Sequence, residues 1–135
     1  MKPHEIAMQY INVPFRHRGR TERGLDCIGL IIMVAYRLGL PVFDKKVYGR
    51  EPSRDGLRES LQRHLGQPVS RPIEIDDVLL MEIIPGLGPS HVAIVAPHPY
   101  GLGMVHTYGD IGRVAYQRIS DARKNQIIEA YQWPV

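Results

Sequence analysis

Cysteine is nearly absent from this sequence, whose 135 residues include only one, Cys27. A single cysteine excludes an intrachain disulfide framework and a zinc site built from several cysteines. The sequence also lacks internal repeats and low-complexity segments, and its length suits one domain, residues 1–135. Because 44% of the residues are hydrophobic, we expect this domain to bury a core of its own.

Long apolar runs and a strong charge excess are missing as well. Residues 1–5 lead into no continuous apolar stretch, so we expect neither a secretory signal nor a membrane span. The protein would then be made in the cytoplasm, and another component would have to carry it to any target outside. The formal net charge is only +3, which does not indicate a nucleic-acid partner.

Helical patterns occupy the first half of the chain. Apolar residues at helical spacing predict a short amphipathic helix over residues 3–12. Residues 26–38 are apolar on nearly all sides and are followed by a glycine C-cap signal, which predicts a buried central helix. Their β-branched residues leave a strand as the alternative. A further amphipathic helix starts near Leu57, with Ser53 or Asp55 as its N-cap.

Strand-like patterns occupy the second half. Short apolar runs alternate there with turns rich in glycine and proline. The predicted strands span residues 78–84, 91–96, 104–108, 113–119 and 127–133. A single helical turn is predicted at residues 120–123. Helices followed by an antiparallel meander indicate an α+β fold.

Cys27 lies where an arginine-rich loop, residues 15–24, gives way to the central helix. Backbone N–H groups at a helix N-terminus lower the pKa of a thiol and can also stabilise an oxyanion. This placement suits a nucleophile. The alternative is a buried core cysteine. The arginines of the loop could bind an anion, although a solvated surface is the simpler interpretation.

Two of the six histidines fall on neighbouring predicted strands. His91 begins one strand and His106 lies in the next. A hairpin turn centred on His98-Pro99 would place the two directly opposite each other, on one face of the sheet. A cysteine hydrolase needs a base near the thiol and a third group that orients the base. Cys27, His91 and His106 are therefore the candidate catalytic residues.

A zinc site is the alternative use of these three side chains. Cys27, His91 and His106 could ligate zinc and leave one position open. The sequence has no local ligand motif such as two histidines on one helical face, so we expect no metal and no other cofactor.

These residues resemble the NlpC-type cell-wall peptidases, which belong to the papain-like superfamily of cysteine hydrolases. The resemblance runs from about Tyr10 to Tyr131. The segments that carry it are Pro14-Phe15-Arg16-His17-Arg18-Gly19, Asp26-Cys27-Ile28-Gly29-Leu30, Asp77-Val78-Leu79-Leu80, His91-Val92-Ala93-Ile94-Val95 and Met104-Val105-His106. It implies a papain-like α+β fold with the cysteine helix packed on an antiparallel sheet. It also implies Cys27 as nucleophile, His91 as general base and His106 as the group that orients His91.

The same resemblance implies a substrate and a setting. The family typically hydrolyses peptide stems of peptidoglycan, commonly the γ-D-glutamyl bond to a diamino acid. Among the members of the family, the chain is most similar to those of phage tails. This placement rests on the missing signal, the absence of wall-binding repeats and the residue after the cysteine. Such an enzyme would travel in a virion, with other tail proteins as partners, and would open the wall locally. Neither nucleic acid nor membrane is an implied partner.

Three positions depart from the family pattern. Phe15 stands where the family has tyrosine, Ile28 where it has serine, and Asp76 where it has glycine. We expect Phe15, Ile28 and Asp26 to face the substrate, with helix capping as the simpler role of Asp26. The changes bear on the preference for stems with a free N-terminal L-alanine. They also motivate two alternatives: a non-catalytic structural or assembly module of a tail tip, and a thiol amidase or acyltransferase acting on another substrate.

Overall fold

The computed structural model describes residues 1–41 and 56–134. The helices in these ranges are α1 (Pro3–Met8), α2 (Cys27–Arg37), α3 (Leu57–Leu65) and α4 (Asp121–Lys124). The strands are β1 (Arg20–Thr21), β2 (Gly24–Leu25), β3 (Val78–Met81), β4 (His91–His98), β5 (Gly101–His106), β6 (Ala115–Arg118) and β7 (Ile127–Tyr131). Each long strand lies within or close to the range predicted from the sequence.

Five strands form one sheet in the order β6-β5-β4-β3-β7, and every pair is antiparallel. The two short strands β1 and β2 pair with each other immediately before α2. Strand β4 lies at the centre of the large sheet, and its first six residues are buried. The predicted α+β fold, with helices first and an antiparallel sheet after them, is confirmed.

Helix α2 packs on this sheet through its apolar side chains. Leu30 and Val34 are fully buried in one cluster with Val92 and Ile94 of β4. Burying each of these side chains contributes about 1.5–3 kcal/mol. A β-branched residue costs a helix less than about 0.7 kcal/mol in propensity. Burial therefore outweighs propensity, and the strand alternative for this segment is wrong.

The other helices follow the predicted pattern with different ends. Helix α1 stops at Met8, before the predicted end, and α3 begins at Leu57 with Gly56 as its N-cap. The proposed caps Ser53 and Asp55 lie outside the described residues. Among residues 1–41 and 56–134, no helix has the length and apolarity needed to cross a bilayer.

The β4–β5 hairpin carries both histidines, in a register that differs from the predicted one. His98 pairs with Gly101, so the turn is centred one residue later than expected. Gly101 has a φ of 120°, which residues with a side chain rarely adopt, and this requirement places the turn. The prediction that His91 and His106 are directly opposite is therefore wrong by two residues. Because side chains alternate with a period of two, the shift leaves both on the same face.

Candidate active site

The carboxylate of Asp26 holds the start of α2. Its Oδ1 accepts hydrogen bonds from the backbone N–H of Gly29 at 2.7 Å and from Nη1 of Arg20 at 3.0 Å. Its Oδ2 accepts from the backbone N–H of Arg18 at 2.9 Å. The predicted capping role of Asp26 is confirmed. Both of its oxygens are engaged by the protein itself, so its binding of a substrate amine stays a prediction.

The arginine-rich loop packs against the same helix end through glycines. A Cβ added to Gly29 would overlap the carbonyl oxygen of Gly19, and a Cβ added to Gly19 would overlap that of Gly24. The backbone of the loop can therefore lie directly on the first turn of α2. Arg20 is largely buried against the Asp26 carboxylate. The loop arginines that are exposed, as the solvated-surface interpretation predicted, are Arg16, Arg18 and Arg23.

Cys27 lies in the first turn of α2, as predicted, and is its first residue; it is also buried, with 8% of its surface exposed. Burial, reinforced by the neighbouring Asp26 carboxylate, raises the pKa of the thiol to about 12. Backbone N–H groups of Val92, Ile28 and Cys27 act in the opposite direction with smaller effect. The N–H groups at the helix N-terminus do lower the pKa of the thiol, as expected, but desolvation outweighs them and the net shift is upward.

The hydrogen bond from Val92 shows how the helix reaches the histidine strand. Val95 exchanges backbone hydrogen bonds with the β3 side of the sheet. Backbone groups alternate in direction along a strand, so the N–H of Val92 points to the β5 side. Among the described residues, the β4–β5 pairing ends at Ile94 and Val105. The Val92 N–H lies past this end and meets the sulfur of Cys27, one residue from His91.

The two histidines are joined to each other and to a third side chain. His91 Nε2 lies 2.8 Å from His106 Nδ1, at hydrogen-bond distance. His106 Nε2 lies 2.8 Å from Oε1 of Gln117 on β6. His91 is 3% exposed and His106 is fully buried. The sequence prediction that these imidazoles meet on one face is confirmed, and the bond occupies one nitrogen of each ring.

Both imidazoles are held in the neutral form at neutral pH. Burial lowers the pKa of His91 well below 6.5, and the nearby His106 and Arg123 lower it further. Burial lowers the pKa of His106 to about 4, although its bond to Gln117 acts in the opposite direction. At neutral pH the Cys27 thiol and both imidazoles are therefore uncharged.

Tyr108 and Arg123 complete the surroundings of the histidines. The Tyr108 ring meets His91 edge to face, with centroids 5.3 Å apart, and lies 5.7 Å from His106. Arg123, from α4, donates from Nη2 to the Tyr108 hydroxyl at 3.2 Å and also lies over the ring. A fixed cation near two imidazoles disfavours their protonation.

Phe15 and Ile28, predicted to face the substrate, are both half-buried. Ile28 is the second residue of α2 and packs against the main core cluster. Phe15 pairs with Leu25 in an isolated bridge, and its ring comes within 3.9 Å of where a Cβ on Gly109 would lie. Phe15 therefore connects the loop before the cysteine helix with the turn that follows Tyr108.

A zinc ion on the predicted ligands would require a different arrangement. His91 Nε2 and His106 Nδ1 point at each other and would have to turn apart to bind one ion. Within residues 1–41 and 56–134, no group of three or more histidine, cysteine, aspartate or glutamate side chains is arranged to hold a metal.

Sequence reasoning did not find Gln117, Tyr108 or Arg123. Gln117 pairs with Met104, two residues before His106, so it lies diagonally across from that histidine on the same face. Gln117 lies in the strand predicted over residues 113–119. Its position near His106 could be inferred only from the β5–β6 register, which the sequence does not give. Arg123 reaches the site from a helical turn, which no strand pattern could indicate.

The sequence matches no protein-family model and no curated protein. Its fold does match solved structures. The NlpC/p60 domain of the peptidoglycan hydrolase SagA superposes with a TM-score of 0.66 and 19% identity, over 96% of this chain and 95% of that one. A lipoprotein-like NlpC/p60-family protein from Staphylococcus aureus gives 0.64 and 17%, over 96% of this chain and 39% of that one. An NlpC/p60-family protein from Bacillus cereus gives 0.67 and 16%, over 98% and 39%.

These matches identify the fold of the chain as the papain-like fold of NlpC/p60 domains. The chain spans nearly the whole SagA domain and about two fifths of each of the other two proteins. The fold class implied by the sequence resemblance is confirmed.

Proposed function

We propose that this protein is a cysteine endopeptidase that hydrolyses the peptide stems of peptidoglycan. In this proposal Cys27 is the nucleophile, His91 the general base and His106 the group that orients His91. The observation that carries it is the 2.8 Å bond between His91 Nε2 and His106 Nδ1. This bond leaves Nδ1 of His91 for another partner, and the sulfur of Cys27 lies at the backbone of the next residue along β4.

The reaction would begin from neutral groups. His91 Nδ1 accepts the thiol proton as the sulfur attacks the substrate carbonyl, which forms a tetrahedral oxyanion. Backbone N–H groups at the start of α2 are the donors available to that oxyanion. The imidazolium then gives the proton to the departing amine, which leaves a thioester on Cys27. Water activated by His91 hydrolyses the thioester and restores the thiol.

Two lines of support favour peptidoglycan stems as substrate. The sequence motifs around Cys27, His91 and His106 resemble those of NlpC-type peptidases, and the fold matches the NlpC/p60 domain of a protein named as a peptidoglycan hydrolase. We propose the γ-D-glutamyl bond to a diamino acid as the bond cleaved. Delivery in a phage tail, with tail proteins as partners, is proposed from the sequence resemblance alone.

We also propose that Phe15 and Ile28 set the preference among stems. Each stands where the resembled family has a residue with a hydroxyl group. Ile28 lies in the cysteine helix, and Phe15 lies near the turn that follows Tyr108. Replacing them with the family residues, Phe15→Tyr and Ile28→Ser, should shift cleavage toward stems with a free N-terminal L-alanine. A product spectrum identical to that of the wild type would remove both residues from the substrate side.

A digest of purified muropeptides under reducing conditions, followed by mass spectrometry, tests the proposed activity. The wild type should give two fragments from each cleaved stem, and Cys27→Ala should give none while keeping the circular dichroism spectrum of the wild type. Alanine is the suitable replacement because the Cys27 side chain is small and already buried, so that a methyl group fits in its place. Intact muropeptides after digestion with folded wild-type protein would refute the endopeptidase.

One observation favours a second candidate, a structural or assembly module that keeps the fold without turnover. Burial raises the pKa of Cys27 to about 12, which is the environment of an inert core thiol. In that case wild type and Cys27→Ala would leave every muropeptide and every thioester or amide probe unchanged. Turnover of any such substrate that depends on Cys27 would exclude this candidate.

A further inference from the structure

Gln117 lies at the end of the chain of side chains that starts at His91. Its Oε1 is 2.8 Å from His106 Nε2, and the other nitrogen of His106 is 2.8 Å from His91 Nε2. The two bonds run across three neighbouring strands, β4, β5 and β6. A neutral imidazole has one nitrogen that donates and one that accepts, so each bond fixes the direction of the next.

An acceptor at Gln117 determines the protonation of both rings. The amide oxygen can only accept, so His106 carries its proton on Nε2 and presents a lone pair at Nδ1. His91 must then donate from Nε2, which leaves the lone pair on its own Nδ1. In the proposed mechanism, that nitrogen is the one that accepts the proton of the Cys27 thiol.

We propose that Gln117 is a positioning residue that fixes the tautomers of His106 and His91 and so keeps Nδ1 of His91 unprotonated, ready to accept the proton of Cys27. This inference rests on the proposed cysteine peptidase function and adds a fourth residue to its site. Gln117 touches neither sulfur nor substrate in this role, because it acts through the two histidines.

The opposite amide orientation would give the opposite outcome. If Gln117 donated from Nε2, His106 would accept at Nε2 and donate from Nδ1. His91 would then accept at Nε2 and hold its proton on Nδ1, where the proposed mechanism needs an acceptor. The orientation of the Gln117 amide therefore decides whether His91 can act as a base at Nδ1.

Two substitutions distinguish a positioning role from a packing role. Gln117→Glu keeps an acceptor, whereas Gln117→Met keeps the length and volume and loses it. For a positioning residue, Gln117→Met should lower kcat about 10–100-fold with KM little changed, the range known for partners that fix the tautomer of metal-ligating histidines. Gln117→Glu should retain activity, and its acid limb should move to higher pH because a carboxylate favours a protonated His106.

A packing role predicts the reverse order. Methionine would then be tolerated, and glutamate would be harmful because it brings a charge to a half-buried site. Gln62→Met, at another half-buried glutamine on α3, is the matched control and should keep wild-type kcat. Activity in Gln117→Met equal to that of the control would overturn the proposal.

Nitrogen-15 NMR of the imidazoles tests the inference without substrate. In the wild type, His91 should carry its proton on Nε2 with Nδ1 bare, and His106 should carry its proton on Nε2. Gln117→Met should give a mixture of tautomers, and Gln117→Glu should retain the wild-type pattern. A proton on Nδ1 of His91 in the wild type would refute the proposal. Because this readout needs no turnover, it stands or falls separately from the muropeptide digest.

Discussion

Alkylation of Cys27 by iodoacetamide should be slow at neutral pH, because the reactive species is the thiolate. A thiol with the ordinary pKa of 9.0 is about 1% ionised at pH 7, whereas one with a pKa of about 12 is ionised to about one part in 10⁵. The folded protein should therefore react about 10³-fold more slowly than the same thiol in the unfolded chain. Burial, the main cause of the raised pKa, also limits access of the reagent.

The measurement is unambiguous because Cys27 is the only cysteine in the sequence. Mass spectrometry of the intact protein gives the rate at each pH from 6 to 10, with the urea-unfolded protein as reference. The alkylation rate of the folded protein should rise tenfold per pH unit over the whole range, without a plateau. The reference rate should begin to level off above pH 9, where more than half of the unfolded thiol is ionised.

A plateau in the folded protein below about pH 8.5 would refute this account of the site. It would mean that the N–H groups of α2 and Val92, or the imidazole of His91, outweigh burial in the substrate-free protein. Asp26→Asn provides a second test, because the Asp26 charge is the next largest cause of the raised pKa. This variant should alkylate faster than the wild type but more slowly than the unfolded chain, since burial remains.

Three further outcomes follow from the surroundings of the site. Gly29→Ala should lower the free energy of unfolding by about 1–3 kcal/mol, because the new methyl group overlaps a backbone oxygen; Gly109→Ala, which meets no atom closer than 3.9 Å, should change it little in the same urea titration. The pKa of His106 falls from 6.5 in the unfolded chain to about 4 in the folded protein, so the unfolded state binds more protons between these values. The contribution of His106 to the free energy of unfolding should therefore drop by about 3 kcal/mol from pH 7 to pH 4. His106→Asn should lose that part of the slope, and an equal slope in both proteins would contradict the assignment. Arg123→Met should raise the pKa of both histidines and move the acid limb of kcat/KM to higher pH, and an unchanged pH profile would show that this cation does not act on them.

The elements of the fold could be predicted because local patterns determine them. The apolar run of α2 and the short strands of the second half each carry their own period and their own stop signals. The exact turn between β4 and β5 was missed because it depends on the φ of Gly101, and the apolar pattern is equally satisfied by a shift of two residues. The same insensitivity explains why the meeting of His91 and His106 was predicted correctly from a wrong register.

The chemistry of the site was less accessible from the sequence. The helix N-terminus at Cys27 is a local feature and was found. The direction of its effect on the thiol pKa was predicted correctly. The larger, opposite effect of desolvation was not, because it comes from the packing of distant segments around the sulfur. Gln117 and Arg123 belong to the site only through the β5–β6 register and the position of α4, and neither is local to a motif.

The buried position of Cys27, past the end of the β4–β5 pairing, bears on chemical durability. Peroxides and disulfides react with thiolates, and a thiol that is almost never ionised and hardly exposed offers them little to attack. A sulfur in this position is protected from oxidation to sulfenic acid. Such protection matters because the sequence has no second cysteine, so a sulfenic acid on Cys27 could not be converted to an intrachain disulfide.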